Sequence, residues 1–306
     1  MRVVLLGTAA GGGFPQWNCW CPTCRVARSD PSRAHPRTQS SIAVSPDDVR
    51  WFLINASPDV REQLPRLPGP RDPVPDGVAR HVPIEAVLLT DAELDHSVGL
   101  ALLREARALT LYATAATIDV LERDSRLLPT TRAFASVAVR EMPEGQPIAL
   151  VDRAGAASGL TVEAFAVAGD PPRFASTCRP GHTVGLLVRD EAGGGTLAYV
   201  PGCGALDAGV ERQLRRADAV LFDGTFWRDD ELVALGISTS TARAMGHVPI
   251  DGPGGSLRII AALPAATRVY THINNTNRIL LEDSPQRGAL SAAGVLVGDD
   301  GLAFTV

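Results

Sequence analysis

The chain predicts an α/β fold. Short apolar runs recur along its length, helical patterns of apolar residues fall between some of them, and glycine or proline marks the turns. The runs at 2–7, 41–44, 51–54, 85–89, 109–113, 160–168, 183–189, 196–200, 218–222, 267–271 and 303–306 read as strands. Helical spacing covers Val98 to Ala108, Ala115 to Arg126, Ala208 to Ala217 and Ser256 to Leu263. Strands mixed with helices call for layers around a sheet core and not for a bundle. With no fixed-period repeat and no evident linker, residues 1–306 are expected to form one domain. The proline-rich stretch from Leu64 to Pro83 is expected to be an irregular surface loop.

Composition narrows the function classes. At 306 residues and 45% hydrophobic, the chain can bury a full core. A net charge of −5 gives no basic footprint for nucleic acid. No apolar run is long enough to cross a bilayer, so no membrane insertion is expected. The apolar start, Met1 to Gly7, is too short for a signal peptide, and a cytoplasmic location is expected. All 29 basic residues are arginine, which excludes lysine nucleophiles, Schiff bases and P-loop lysines.

The polar clusters stand at the ends of the predicted strands, where α/β scaffolds assemble their chemistry. Thr90-Asp91-Ala92-Glu93-Leu94-Asp95-His96 follows the run at 85–89. In an extended segment residues two apart share a side, so Asp91, Glu93 and Asp95 would crowd together. Such crowding costs free energy unless a cation sits among the acids, and carboxylates with an imidazole suit iron, manganese or zinc. Cys19, Cys21 and Cys24 form a second cluster, whose spacing lets three thiolates converge on a structural zinc. Its fourth ligand is open, and His35 is the nearest imidazole. Cys178 and Cys203 are isolated and read as buried, inert thiols.

The remaining candidates carry less. The Gly7 to Gly13 loop lacks the Gly-Lys-Ser/Thr ending of a phosphate loop, so its glycines are expected to let the chain pass close to the metal loops. Asp223 follows the run at 218–222, and His247 lies beside Gly246. Both are expected to line a substrate pocket and to act in proton transfer or orientation, not as primary ligands. His35 and His81 read as surface residues.

The order Asp-x-Glu-x-Asp-His, then Gly181-His182-Thr183, then a strand-end acid, then Thr271-His272 resembles the metallo-β-lactamase superfamily. That resemblance implies a four-layer αββα sandwich with metal held between two sheets. A phosphodiesterase family of the same superfamily places a histidine where this chain has Asn275, the other candidate for the fourth ligand of the cysteines. It places Asp91 and Glu93 at the first two ligand positions and matches Asp95, His96, His182 and His272 to later ones. Carboxylates in place of two histidines harden the site and move the expected metal from zinc towards iron. The superfamily's bridging aspartate would follow the run at 196–200, where this chain has Pro201-Gly202-Cys203. A single iron, held by a subset of Asp91, Glu93, Asp95, His96, His182 and His272, is therefore expected.

A narrower resemblance runs from end to end. It is carried by the Gly7 to Cys24 region, Asn55 to Asp59, Thr90 to His96, Phe222 to Trp227, Met245 to Pro249 and Thr271 to Asn277. Together these look like the B family of pyrroloquinoline quinone (PQQ) biosynthesis. The resemblance implies iron- and oxygen-dependent hydroxylation of the tyrosine ring of a precursor derived from cross-linked glutamate and tyrosine. The partners implied are that precursor and other PQQ-biosynthesis proteins. A zinc-dependent hydrolase and a soluble carrier transporting PQQ or its precursor are the alternatives.

Overall fold

The computed structural model describes residues 1–67 and 81–306. Most of the predicted proline-rich loop lies outside the described residues. Its first turn, Leu64–Arg66, is a 3₁₀ helix with Pro65 at its second position.

Two seven-stranded sheets carry the fold. The first is built from β1 (Arg2–Gly7), β2 (Ser41–Ser45), β3 (Trp51–Ile54), β4 (Ile84–Leu88), β5 (Ala108–Ala113) and β6 (Ser136–Glu141). The second is built from β7 (Ile148–Val151), β8 (Ala157–Ala166), β9 (Val184–Asp190), β10 (Thr196–Val200), β11 (Ala219–Asp223), β12 (Thr267–Thr271) and β13 (Leu296–Val297). The last strand, β14 (Ala303–Thr305), returns to the first sheet, which runs β14-β1-β2-β3-β4-β5-β6. The second sheet runs β13-β12-β11-β10-β9-β8-β7. In each, four neighbours are parallel: β3 to β6 and β10 to β13.

Side-chain alternation shows why these runs are apolar throughout. On β1, Val3 and Leu5 join the core between the sheets, while Val4 and Leu6 face the opposite way. On β10 and β11, Leu197, Tyr199 and Leu221 face the inter-sheet core, while Ala198, Val200 and Phe222 face outward. Both faces of each sheet are thus covered, which removes the polar half of the usual alternation. Leu100, Val120 and Leu128 cover the first sheet from outside. Leu214, Ile260 and Leu290 cover the second. Three cores separating four layers are the αββα sandwich, as expected.

The elements missed are instructive. β6 and β7 are half-exposed, so they lack the continuous apolar run that marks the central strands. The helices Pro22–Ser29 and Pro285–Ala292 each carry proline at their start, and Ser284 caps the second through the Arg287 N–H. The helix expected over Val98 to Ala108 is shorter. It runs as Gly99–Leu102 and a 3₁₀ turn Leu103–Glu105, because the chain must extend into β5 from Ala108. No helix among the described residues is long and apolar enough to cross a membrane.

Leu186 is fully buried between the sheets. Leu186→Ala is expected to lower unfolding free energy by about 2–5 kcal/mol through lost transfer energy and a residual cavity. Chemical denaturation measures it, and a change within error of zero would contradict the inter-sheet placement.

Candidate metal centre

The site forms at the carboxyl ends of parallel strands. β4 delivers the segment 89–96, β10 delivers Gly202, β11 ends in Asp223 and β12 leads into His272. Register sets Asp223 beside Thr271 and Val200 beside Phe222, so these ends are neighbours by construction. Asp91, Glu93, Asp95, His96, Gly202 and His272 line one cleft of about 380 Å³, together with His247, Phe226, Met245 and Arg173.

Asp91 to Asp95 is not a strand, as the spacing suggested. The chain leaves β4 after Leu88, loops, and enters a short helix, Leu94–Ser97, that holds Asp95 and His96. Gly99, which opens the next helix, lets the chain press on the segment after β3: an added Cβ would stand 2.4 Å from the Ser57 carbonyl oxygen. The crowding of acids is nevertheless real. Withdrawal from solvent and the charges of Asp91 and Asp95 push Glu93 up to about 7.

Asp91 reaches His96. Its oxygens lie 2.9 and 2.8 Å from His96 Nδ1, and it also accepts from the Thr90 hydroxyl and the Glu93 N–H. A carboxylate only accepts, so Nδ1 carries a proton towards Asp91 and Nε2 is the nitrogen left to face a metal. That Nε2 is buried without a hydrogen-bond partner. Asp95 Oδ2 lies 3.9 Å from it and 3.3 Å from His272 Nε2. Burial opposes charge on both His96 and Asp95. The acids around His96 nonetheless raise it to about 9, and His96 and His272 hold Asp95 well below the usual carboxylate range.

The other two imidazoles are held in the same way. Asp223 Oδ2 lies 2.7 Å from His247 Nδ1. Thr225 donates its hydroxyl to Asp223 Oδ1 at 2.6 Å, and its oxygen stands 2.9 Å from His272 Nδ1. The His96–His272 and His247–His272 ring centroids are 5.1 and 5.5 Å apart. His96 and His272, each anchored at Nδ1, with Asp95 Oδ2 beside both Nε2 atoms, fit a divalent metal bound by mixed nitrogen and oxygen. A buried Nε2 with nothing to bond is the atom that most requires one.

Several expected residues sit elsewhere. Asp95, His96 and His272 converge as a metal-capable group, and Asp223, His247 and His272 form a second. Asp91 belongs to neither, because its oxygens are committed to His96 and Thr90. Glu93 belongs to neither and lines the cleft wall. His182 is not brought in. It is buried in the β8–β9 loop, where desolvation and Arg179 lower its pKa and its acidic neighbours are Asp124 and Asp119. Asp223 does not line the cleft as expected, since it is fully buried behind His247. His247 does line it. Gly11 passes Asp95 closely, as the glycine loop predicted, with an added Cβ 3.4 Å from Oδ2.

The cysteines also converge. Cys19, Cys21 and Cys24 bring their sulfurs within 4.8 Å of one another. The hydrogen bond from Cys24 lowers Cys21 to about 5, and the same contact, with burial, raises Cys24. One proton shared between two sulfurs leaves a thiolate ready for a soft cation. Asn275 closes the fourth side, its amide 3.2 Å from Cys24 Sγ and 3.6 Å from Cys21 Sγ. His35 is turned away to Asp299 at 3.1 Å and is exposed, as is His81. Cys203 is buried as expected, but Cys178 is exposed.

Sequence reasoning missed Thr225 and gave Asn55 little weight. Asn55 adopts φ 63° after β3, accepts the Thr90 N–H at 3.0 Å and donates to its hydroxyl at 2.9 Å. Thr90 in turn holds Asp91. An asparagine directly after a strand was the available signal, since it tolerates the left-handed region. Asn55→Ala is expected to cost about 1–3 kcal/mol, from an unsatisfied buried N–H, with added backbone strain at positive φ. Denaturation of the metal-free protein measures this, and an unchanged midpoint would contradict it.

Residues 50–273 match the model of the β-lactamase superfamily domain. The chain is 46% identical to coenzyme PQQ synthesis protein B of Methylobacterium radiotolerans, with all of both chains covered. It is 44% identical to the protein of the same name from Azoarcus sp., again over both full lengths. Among solved structures, zinc-bound PqqB from Methylobacterium extorquens superposes with a TM-score of 0.89 at 41% identity, covering both chains completely. A diphosphatase of the PhnP family, at 21% identity and a TM-score of 0.67 with 97% of its chain covered, shares the fold.

Proposed function

The chain belongs to the family of coenzyme PQQ synthesis protein B, within the β-lactamase superfamily, and from that membership we propose that it hydroxylates a PQQ precursor with iron and dioxygen. The substrate proposed is the Glu–Tyr-derived precursor, and the position attacked is its tyrosine ring. The observation that carries the reading is the unpartnered Nε2 of His96 beside Asp95 and His272. Asp95, His96 and His272 would hold the iron, and bound there it would supply the activation of dioxygen that ring hydroxylation needs. Pro201, Gly202 and Cys203 offer no carboxylate to bridge a second ion, which supports one metal.

The protein's own groups supply orientation and proton handling. Asp91 and Thr225 fix the tautomers of His96 and His272, so each presents Nε2. His247, held at Nδ1 by Asp223, has Nε2 left to take the phenolic proton, and its pKa is raised because Asp223 outweighs its burial. Phe226 and Met245 give the cleft an apolar wall for an aromatic ring. Zinc in the crystal structure of the Methylobacterium extorquens relative favours a hydrolase as the second reading.

Labelled dioxygen separates the two readings. The iron-loaded protein is expected to place the label in the ring of the product, and the zinc-loaded protein to be inactive. Equal activity with zinc, or ring oxygen drawn only from water, overturns the oxygenase.

The cysteine trio is proposed to hold one structural zinc, with Asn275 on its fourth side. Changing Cys19 and Cys24 to serine together is expected to remove about one equivalent of zinc and to lower the melting temperature, because such sites contribute folding free energy directly. Elemental analysis showing full zinc retention would contradict the assignment.

A further inference from the structure

We propose that Arg173 is the anion anchor of the cleft, its guanidinium taking a carboxylate of the bound substrate. The inference rests on the reading above, in which the substrate derives from glutamate and tyrosine and carries carboxylates. Among the cleft-lining residues Arg173 is the one permanent cation, whereas Asp91, Glu93, Asp95 and Asp170 are acidic. An acidic cleft disfavours an acidic ligand unless a fixed positive charge faces it.

The loop between β8 and β9 holds Arg173 in place without engaging its side chain. The Ala168 carbonyl accepts the Gly204 N–H at 2.7 Å, and Ala175 N donates to the Pro172 carbonyl at 2.8 Å. Ser176 N reaches Asp124 at 3.1 Å, and the Thr114 hydroxyl reaches the Gly181 carbonyl at 2.6 Å. The loop's other arginine, Arg179, is committed elsewhere, to the Ala115 carbonyl at 2.6 Å and to Asp119. Arg173 is exposed and has no hydrogen-bond or ion-pair partner among the described residues. Pro171 and Pro172 beside it restrict the backbone that presents it. A pinned loop carrying one unpaired guanidinium into an acidic, metal-capable cleft is arranged for a ligand's charge. Arginine's planar fork matches both oxygens of a carboxylate, so the site should distinguish a carboxylate from a carboxamide of the same shape.

The test is binding to zinc-loaded protein by calorimetry. The probes are the cross-linked Glu–Tyr dipeptide and the same dipeptide with its carboxylates converted to carboxamides. Wild type is expected to prefer the acid by roughly ten- to a hundredfold, the range of a hydrogen-bonded charge pair. Arg173→Met should lose most of that preference with affinity for the carboxamide and metal content unchanged, and Arg173→Lys should recover part of it. A wild-type preference retained in Arg173→Met overturns the inference alone, as does wild type binding both probes equally. If wild type binds neither probe, the substrate reading itself fails and this inference falls with it.

Discussion

Buried carboxylates organise the centre of this protein. Asp91 and Asp223 are withdrawn from water at the ends of two different sheets, and neither can stay ionised there alone. Each accepts a hydrogen bond from the Nδ1–H of a histidine, and His96 and His247 hold Asp91 and Asp223 below the usual carboxylate range despite burial. Thr225 joins Asp223 to His272, so three imidazoles are oriented by hydrogen bonds made behind them. Their metal-capable faces are thus fixed before any ligand arrives, and the cost of arranging them belongs to folding.

The sandwich explains how residues so far apart in sequence meet. Parallel strands at the middle of each sheet place their carboxyl ends side by side, and packing two sheets face to face brings the β4 end opposite the β11 and β12 ends. The segment after β12 links the two metal-capable clusters. His272 stands in the cleft, Asn274 follows two residues later on the cleft wall, and Asn275 rests on the cysteines. Thr23 also donates to the Asn275 carbonyl, tying the cysteine helix to this segment from its side. His272 itself has φ 54°, a backbone state that the surrounding hydrogen bonds must hold. Order at the cysteine cluster therefore bears directly on where one imidazole of the cleft points.

Polarity within the cleft is divided by position. Acids and imidazoles crowd the strand ends, an apolar wall is supplied by Phe226 and Met245, and the permanent positive charge comes from the β8–β9 loop. A chain whose basic residues are all arginine cannot titrate that charge away near neutral pH. The cleft thus combines a tunable acid–base side with a fixed cationic side.

Much of this was legible in the chain alone. Central strands announced themselves as unbroken apolar runs because both of their faces are covered, and Asp91 to His96, the cysteine trio and His272 stood out as residue types that ordinary structure does not need in that pattern. Edge strands β6 and β7 did not, since half-exposed residues carry a mixed signal that short turns imitate. Which acid joins the metal-capable cluster and which only orients its histidine was likewise invisible. Asp91 and Asp95 are four residues apart and chemically identical, yet a short helix begins between them and turns one towards the cleft and the other behind His96. His182 lies at a motif position but faces Arg179 and Asp119, while Asn55 and Thr225 are ordinary polar residues until their partners are known. Residue type records what a side chain can bond, and local pattern records which face it shares. The partner it bonds is chosen by contacts between segments remote in sequence, and those exist only once the two sheets have closed on each other.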